Sequence, residues 1–183
     1  MSSPLIIKEI RTLRLALVAI TPDTILAEQA ADGDFHLLGA AIGCTIHPEW
    51  PPIHWEPHVL TFMLNQFAAH PDQASWHRYV ALPEPNGART LIGCLGAFAK
   101  DDPPATCEIG YSILPSFEGR GYATEGTRAL IDHLRADTRI TSIIAHTFPS
   151  LTGSIRVMEK CGLVFDGDGA EPGTIRYRLR LRP

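Results

Sequence analysis

The segment EIGYSILPSFEGRGYATEGTRALIDHL, Glu108–Leu134, decides the prediction of the fold. It begins as a strand-like run, passes through two glycines that flank Arg120, and continues with a helix-like pattern. Glycine is a poor helix former, so its use at a helix start indicates either unusual backbone dihedrals or another group that approaches the backbone closely. A strand, a glycine turn and a helix N-terminus are together typical of a phosphate-binding site, because backbone N–H groups and the helix dipole attract anions.

Two phosphate-binding motifs do not fit this turn. A dinucleotide-binding fingerprint reads GxGxxG, but Thr124 stands three residues after Gly121, where the last glycine belongs. A P-loop reads GxxxxGK followed by Ser or Thr. Gly121 and Gly126 have that spacing, but Thr127 replaces the lysine that reaches the phosphates. Two interpretations of this turn therefore remain. It is either a third class of phosphate site or a plain tight turn between strand and helix.

The same segment resembles the central motif of the GNAT N-acetyltransferase superfamily, whose acyl-CoA loop reads Q/R-x-x-G-x-G/A. EIGY followed by GYATE is characteristic of the branch that contains the ribosomal-protein amino-terminal acetyltransferases. SIRVMEKCGLVFDG, residues 154–167, is similar to the closing helix and turn of that branch. Weaker resemblance extends through LIGCLGAF, residues 91–98, and RTLRLALVAIT, residues 11–21, so nearly the whole chain is covered.

This resemblance implies one domain over residues 1–183 with an α/β (α+β) fold of the GNAT type. The central sheet is then mixed, has about six to seven strands and is flanked by helices. Periodicity and turn signals predict a strand over Glu9–Ile20, a helix capped by Thr21 that faces Ile25, Leu26 and Ala30 inward, an irregular segment over Gly33–Pro57 and a second helix from about His58 to Ala69. A hairpin at Asn86–Gly87, a strand–helix–strand–helix run and a final hairpin complete the chain.

The reaction that the resemblance implies is attack by a primary amine on the thioester of acetyl-CoA, the cosubstrate. A base is useful because the ammonium form of an amine dominates or is substantial at neutral pH. The resemblance implies that Glu108, about ten residues before the loop, is this base, and a purely structural strand carboxylate is the alternative. His146, on the next strand, is the second candidate, because an imidazole has a suitable pKa of ~6.5.

The resemblance also implies the cofactor-binding residues. They are Ile113, Leu114, Gly119, Arg120, Gly121, Tyr122, Ala123, Thr124 and Ser154. A backbone N–H near Ile113–Leu114 would stabilise the tetrahedral oxyanion, and Ser154 would either cap the last helix or meet the pantetheine end of CoA. Three residues depart from the family pattern: Glu118 replaces the usual Gln or Arg of the loop, Leu151 replaces an Asn, and Met158 stands nearest to the usual Tyr general acid.

The segment HPEWPPIHWEPH, His47–His58, is rich in metal-binding and aromatic side chains. Its histidines match neither HExxH nor a zinc-finger spacing, so we predict no metal. Trp50 and Trp55 are predicted to form an aromatic wall over the acceptor pocket, with hydrophobic packing of the loop as the alternative. Tyr111 is a further candidate for acceptor binding, and a half-buried structural tyrosine is the alternative there.

Composition excludes several classes of protein. The 183 residues carry a net charge of −4, from 16 basic and 20 acidic side chains, so no overall field favours nucleic acid or an anionic membrane. No apolar run reaches the length of a membrane span, and the N-terminus lacks a signal-peptide pattern, so we expect a cytoplasmic protein. The four cysteines are scattered without a CxxC pair, which indicates reduced thiols.

The sequence therefore predicts an acetyl-CoA-dependent N-acetyltransferase that acts on a protein N-terminus or a small-molecule amine. Direct transfer in a ternary complex is expected, rather than transfer through an acyl-enzyme. The resemblance also implies homodimer formation, and neither nucleic acid nor membrane is expected as a partner. The alternative is a non-catalytic CoA-binding or sensor domain of the same fold.

Overall fold

The computed structural model describes residues 7–30, 33–100 and 105–182, and the chain forms two compact units. The first unit contains the described residues up to Cys94 together with Ser112–Glu118. The second unit contains the described residues of Leu95–Tyr111 and those from Gly119 onward. Two of the three divisions fall inside strands, each of which contributes one part to either unit, and the third falls between Glu118 and Gly119. The assignment of residues 1–183 to one domain stays a prediction.

The first unit combines a sheet with three helices. Its strands are β1 (Ile10–Arg11), β2 (Ala16–Ala19), β3 (Thr45–Ile46), β4 (Arg78–Pro83) and the first half of β5 (Arg89–Lys100). Hydrogen-bonded neighbours follow the order β1-β2-β4-β5, with antiparallel pairing of β1 with β2 and of β2 with β4. The predicted turn between β4 and β5 is confirmed: Gly87 adopts a φ of +86° that suits glycine.

The helices of the first unit are α1 (Pro22–Gln29), α2 (His36–Ile42) and α3 (Pro57–Ala69). The predicted cap of α1 is confirmed, because the Thr21 side chain accepts from the Thr24 N–H and the Thr24 side chain accepts from the Thr21 N–H. The prediction of which residues of this helix face inward is only partly correct. Ile25 is fully buried, but Leu26 is 54% exposed and Ala30 is exposed. The side chain that α1 buries instead is the carboxyl of Glu28.

Two predictions for the first unit are wrong. The single strand over Glu9–Ile20 is two strands, because a turn from Thr12 to Leu15 folds β2 back onto β1. The segment Gly33–Pro57 is not wholly irregular, because it contains α2 and β3, and β3 pairs in parallel with β5. Helix α2 is only seven residues long and ends at Gly43 with a φ of +63°, so its periodicity is too short to be recognised.

The second unit alternates strands and helices. Its elements after β5 are β6 (Thr106–Ile113, as far as Tyr111), α4 (Tyr122–Arg135), β7 (Ser142–Thr147), α5 (Thr152–Lys160), β8 (Val164–Asp168) and β9 (Ile175–Arg180). Neighbouring strands follow the order β5-β6-β7-β9-β8. Pairing is parallel between β6 and β7 and antiparallel around β9, which confirms a mixed sheet flanked by helices. The described residues contain nine strands, and the short strands β1 and β3 account for the excess over the predicted number.

Polar side chains of the second unit lie on both faces of its sheet. Tyr111 reaches Ser154 of α5 with its hydroxyl, so α5 covers the face of β6 that carries Tyr111. Side chains alternate along a strand, and Glu108 is paired with Ile144 on β7. Glu108 and His146 therefore project on the opposite face. Among the described residues, none of the helices combines the length and apolar character that crossing a bilayer requires.

Candidate functional site

Most of the predicted site residues lie in the second unit: Glu108, Tyr111, Gly119, Arg120, Gly121, Tyr122, Ala123, Thr124, His146 and Ser154. The first unit contains Trp50, Trp55, Ile113 and Leu114.

The glycine turn has backbone dihedrals that only glycine adopts easily. Gly119 and Gly121 have φ values of +72° and +81°, in the left-handed region where other residues are strained. A side chain added at Gly119 would meet none of the described atoms within 4 Å, so the surroundings of this backbone are open. Gly121 is the N-cap of α4, and because it has no side chain it cannot cap the helix itself. The turn therefore combines left-handed glycine dihedrals with a helix N-terminus that no N-cap side chain satisfies, which is the geometry of an anion site.

The rest of the predicted cofactor loop surrounds this helix start. Arg120 is exposed, whereas Tyr122, Ala123 and Thr124 are half-buried in the first turn of α4. Glu118, the departure from the family pattern, belongs to the first unit, and its side chain is exposed to solvent. Solvent exposure lets this carboxylate point away from a bound anion, which reduces the repulsion expected from its charge.

Ser154 does not cap α5. The N-cap position belongs to Leu151, and Ser154 is the third residue of the helix, so the predicted capping role is wrong. Tyr111 instead donates a hydrogen bond of 2.9 Å to the Ser154 carbonyl, and its hydroxyl lies 3.1 Å from Oγ of Ser154. Burial raises the pKa of Tyr111 to about 12, although the hydrogen bond to Ser154 opposes this shift. This geometry is that of a structural tyrosine, the alternative stated for Tyr111.

Strands β6 and β7 stop pairing at the level of Glu108. Their register contains three residue pairs, of which the last is Glu108 with Ile144. Beyond this pair β6 continues within the second unit to Tyr111 and β7 continues to Thr147. Two parallel strands that continue without pairing must diverge, and the backbone groups along the divergence lack ladder partners. The second unit therefore contains an opening between β6 and β7 beside Glu108.

Three charged or titratable side chains meet at this opening. Oε1 of Glu108 lies 2.8 Å from Nδ1 of His146, and Oε2 lies 2.8 Å from Nζ of Lys100. The side chains of His146 and Glu108 are 15% and 29% exposed, so both are shielded from solvent without being sealed off. The structure thus brings together the two predicted catalytic residues and adds Lys100, which the sequence interpretation missed.

The partners of Glu108 determine its protonation state. Burial by itself raises the pKa of this carboxyl, but hydrogen bonds from Lys100 and His146, with their charges, outweigh burial and hold the pKa below its usual value. Glu108 is therefore a carboxylate at neutral pH and a weak proton acceptor. A neutral His146 that donates from Nδ1 to Glu108 has its lone pair on Nε2, so the pair can accept a proton at Nε2.

Leu114 cannot supply the predicted oxyanion contact. Its N–H already donates to the Ile92 carbonyl at 2.8 Å, and its side chain is fully buried. Successive N–H groups of a strand point in opposite directions, so the N–H of Ile113 points away from Ile92. Of the two predicted positions, Ile113 therefore stays as the candidate donor. Strands β5 and β6 lie close together at this point. A side chain at Gly93 of β5 would come within 2.3 Å of the carbonyl oxygen of Ser112 on β6.

The two predicted acceptor tryptophans share one carboxylate in the first unit. Oε1 of Glu28 accepts hydrogen bonds from Nε1 of Trp50 at 2.9 Å and of Trp55 at 2.8 Å, and Oε2 accepts from the Tyr79 hydroxyl at 2.7 Å. Trp50 is only 5% exposed, so hydrophobic packing, the stated alternative, describes it better than a substrate wall. Trp55 is half-buried and still offers part of its surface.

The histidines of the same segment do not gather. His47 packs edge-on against Phe117 with ring centroids 5.1 Å apart, whereas His54 and His58 are exposed. Over residues 7–30, 33–100 and 105–182, no group of three or more His, Cys, Asp or Glu side chains is arranged to hold a metal ion.

Comparison with known proteins connects this geometry with a family. A family model described as an acetyltransferase (GNAT) domain matches residues 27–164. FsC-acetyl coenzyme A-N(2)-transacetylase of Aspergillus fumigatus is 30% identical over 82 residues, which cover 39% of this chain and 35% of that protein. The chain spans about a third of the length of the curated relatives that it matches.

Solved structures are similar over nearly the whole chain. A GNAT-family acetyltransferase from Bacillus anthracis has a TM-score of 0.61 at 21% identity, covering 95% of this chain and 99% of that one. RimL, a ribosomal L7/L12 alpha-N-protein acetyltransferase solved in complex with coenzyme A, has a TM-score of 0.61 at 15% identity, covering 94% and 98%. At these identities the likeness shows the fold alone. Because the family model covers most of the chain and the fold agrees with it, the protein belongs to the GNAT acetyltransferase family.

Proposed function

We propose that the protein transfers an acetyl group from acetyl-CoA to a primary amine by direct attack in a ternary complex. The amine is that of a protein N-terminus or of a small molecule. The observation that carries this proposal is the Glu108–His146 pair, which lies at the opening between β6 and β7 in the same unit as the glycine turn. A phosphate-binding turn and a proton acceptor beside a strand opening are the two parts that acetyl-CoA chemistry requires.

The glycine turn would bind the pyrophosphate of CoA. Backbone N–H groups at the start of α4 point toward the turn, and the dipole of a 14-residue helix adds to their attraction for an anion. The open surroundings of Gly119 allow phosphate oxygens to approach the backbone. Arg120 to Thr124 complete the proposed contact, and their backbone contributes irrespective of the unusual Glu118.

The proton acceptor would then prepare the amine. An α-amine with a pKa of ~7.7–8.0 is substantially protonated at neutral pH and must lose a proton before it attacks. The Glu108–His146 pair can take that proton, while the N–H of Ile113 is the proposed donor to the oxyanion. The leaving thiolate is stable enough to depart without a dedicated acid, since thiols have pKa values of ~8.5. This suits the fully buried Met158, which occupies the place of the usual tyrosine.

The proposal is tested by acetyl-CoA turnover against peptides with free N-termini and a panel of small amines, with CoA binding measured separately by calorimetry. We expect CoA binding together with turnover on at least one class of amine. CoA binding without turnover on any amine would instead support the alternative, a non-catalytic CoA-binding or sensor domain. Homodimer formation, cytoplasmic location and the ribosomal-protein branch stay predictions.

Gly119→Ala tests the proposed role of the turn. We expect CoA affinity to fall about tenfold or more, because the methyl group strains a positive φ and occupies space that phosphate oxygens need. Gly173→Ala is the matched control: Gly173 lies in the same unit, has a φ of +82° and is equally open. Both variants should lose similar thermal stability, and only Gly119→Ala should lose CoA affinity in calorimetry. Equal CoA affinity in the two variants would contradict the role of the turn.

A further inference from the structure

We infer that Nε2 of His146 is the proton acceptor of the reaction, and that Glu108 and Lys100 are positioning residues that hold the imidazole ready. This assignment rests on the proposed acetyl transfer and reverses the order of the two candidates that the sequence suggested. It adds Lys100, which neither the family pattern nor the sequence interpretation includes.

The three side chains form a row across three neighbouring strands of the second unit. Lys100 ends β5, Glu108 lies on β6, and His146 lies on β7. The ammonium of Lys100 contacts Oε2 of Glu108, so Oε1 is directed at Nδ1 of His146. Each oxygen of this carboxylate thus already has one neighbouring donor. The imidazole, in contrast, uses only Nδ1 in this row.

The remaining charges around His146 are compensated elsewhere. Its antiparallel neighbour on β9 is Arg176, whose guanidinium donates to Oδ2 and to the backbone carbonyl of Asp166 on β8. Arg178 of β9 donates to the same Oδ2 of Asp166. The charged groups on the two strands beside His146 are thus Glu108, Arg176, Arg178 and Arg180, and Lys100 and Asp166 are ion-pair partners of these groups on the next strands. Of these, Glu108 is the group that the structure shows bonded to the imidazole.

The proton inventory follows from this geometry. Nε2 of neutral His146 takes one proton from the substrate ammonium, and Glu108 stabilises the imidazolium through its bond to Nδ1–H. The amine nitrogen then forms a bond to the thioester carbon, and the C–S bond breaks as the tetrahedral intermediate collapses. The amine loses its second proton to solvent, and the imidazolium returns its proton to the departing thiolate. The products are the N-acetylated amine and CoA with a free thiol.

Lys100 has two effects in this arrangement. Its charge keeps Glu108 ionised, and its contact with Oε2 fixes the rotation of the carboxylate, so that Oε1 selects the Nδ1–H tautomer. Removing the ammonium leaves the carboxylate free to rotate away from Nδ1. We therefore expect Lys100→Met to weaken the preference of neutral His146 for the Nδ1–H tautomer. Lys100→Arg keeps the charge and should retain that preference.

The first test needs no acceptor. Nitrogen NMR of the full chain labelled at histidine reports the tautomer of His146, with the signal assigned by its loss in His146→Gln. We expect protonation at Nδ1 in the neutral form, loss of this preference in Glu108→Gln, and a weaker preference in Lys100→Met but not in Lys100→Arg. A neutral His146 protonated at Nε2, or a tautomer preference that is unchanged in Lys100→Met, would overturn the inference.

The second test uses the amine that the turnover screen identifies. His146→Gln should lower kcat about 100-fold or more and remove the acidic limb of the kcat/KM profile, with CoA affinity retained. Glu108→Gln should lower kcat but keep an acidic limb, displaced to lower pH. The inference fails if Glu108→Gln removes the limb and His146→Gln keeps it. That result would leave the proposed acetyl transfer standing with Glu108 as its base, whereas absence of turnover in the parent protein would reject the proposed function itself.

Discussion

The carboxyl group of Glu28 accepts three hydrogen bonds from neutral donors while it is only 3% exposed. Burial raises its pKa above the usual value of 4.5, and the hydrogen bonds from Tyr79, Trp55 and Trp50 lower it only in part. A carboxyl in this setting ties α1 to the tryptophan segment and to β4. Its removal would leave two indole N–H groups and one phenol without their acceptor, at a cost of about 1 to 3 kcal/mol for each buried donor.

Glu28→Gln tests this interpretation through the pH dependence of stability. Because the pKa is raised in the folded state, the folded protein binds more protons than the unfolded chain once the pH exceeds 4.5, so the free energy of unfolding falls as the pH rises through the raised pKa. Glutamine carries no charge, and its amide can still accept from the indoles and donate to the phenol.

We therefore expect the variant to gain stability relative to the parent protein as the pH rises from 4.5 toward neutrality. Urea unfolding at several pH values measures this difference. Glu171→Gln, at an exposed position, controls for the loss of one carboxylate. Parallel stability curves for the parent and Glu28→Gln would show that Glu28 is not destabilised by burial.

At the scale of a single element, α5 begins without a capping side chain. Its N-cap is Leu151, which is 49% exposed and has no oxygen to accept from the first turn. The family pattern has an asparagine near this position, and asparagine is among the best N-cap residues. Relative to the family pattern, Leu151 thus lacks both a capping group and the polar group that the resemblance assigns to the cofactor.

Leu151→Asn should stabilise the protein by about 0.5 to 1 kcal/mol, because the new side chain can accept from an N–H of the first turn of α5. Chemical denaturation measures the gain, and Leu151→Ala, which removes the exposed apolar surface without adding a cap, is the matched control. A gain of the same size in both variants would attribute the effect to apolar exposure. An additional increase in CoA affinity in Leu151→Asn alone would support a cofactor contact at this position.

At the scale of the whole molecule, the two units are expected to unfold together. Strands β5 and β6 each contribute residues to both units, so neither unit can lose its part of the sheet without disrupting a strand of the other. We therefore expect one calorimetric transition with equal calorimetric and van't Hoff enthalpies, as for a single cooperative domain. Two resolved transitions, or a ratio of the calorimetric to the van't Hoff enthalpy well above one, would contradict the prediction of one domain over residues 1–183.

Local chemistry explains which features were predictable. The strand, the glycine turn and the helix of Glu108–Leu134 follow one another directly, so backbone propensity and motif spacing are sufficient to identify them. The Thr21 cap and the Asn86–Gly87 turn are also local. The short helix α2 escaped prediction because seven residues with a glycine at position 39 carry too little periodicity.

The sequence by itself determined the fold class, the family resemblance and the position of the proposed phosphate-binding turn, because these depend on residues close together in the chain. Only the tertiary structure decided the partners of Glu28, Glu108 and Leu114, because hydrogen bonds between distant strands depend on sheet register and helix packing. His146 lies 38 residues from Glu108, and the pairing of β6 with β7 brings them within 2.8 Å. No local pattern encodes that register, so the contact on which the proposed proton acceptor rests could be recognised only once the strands were in place.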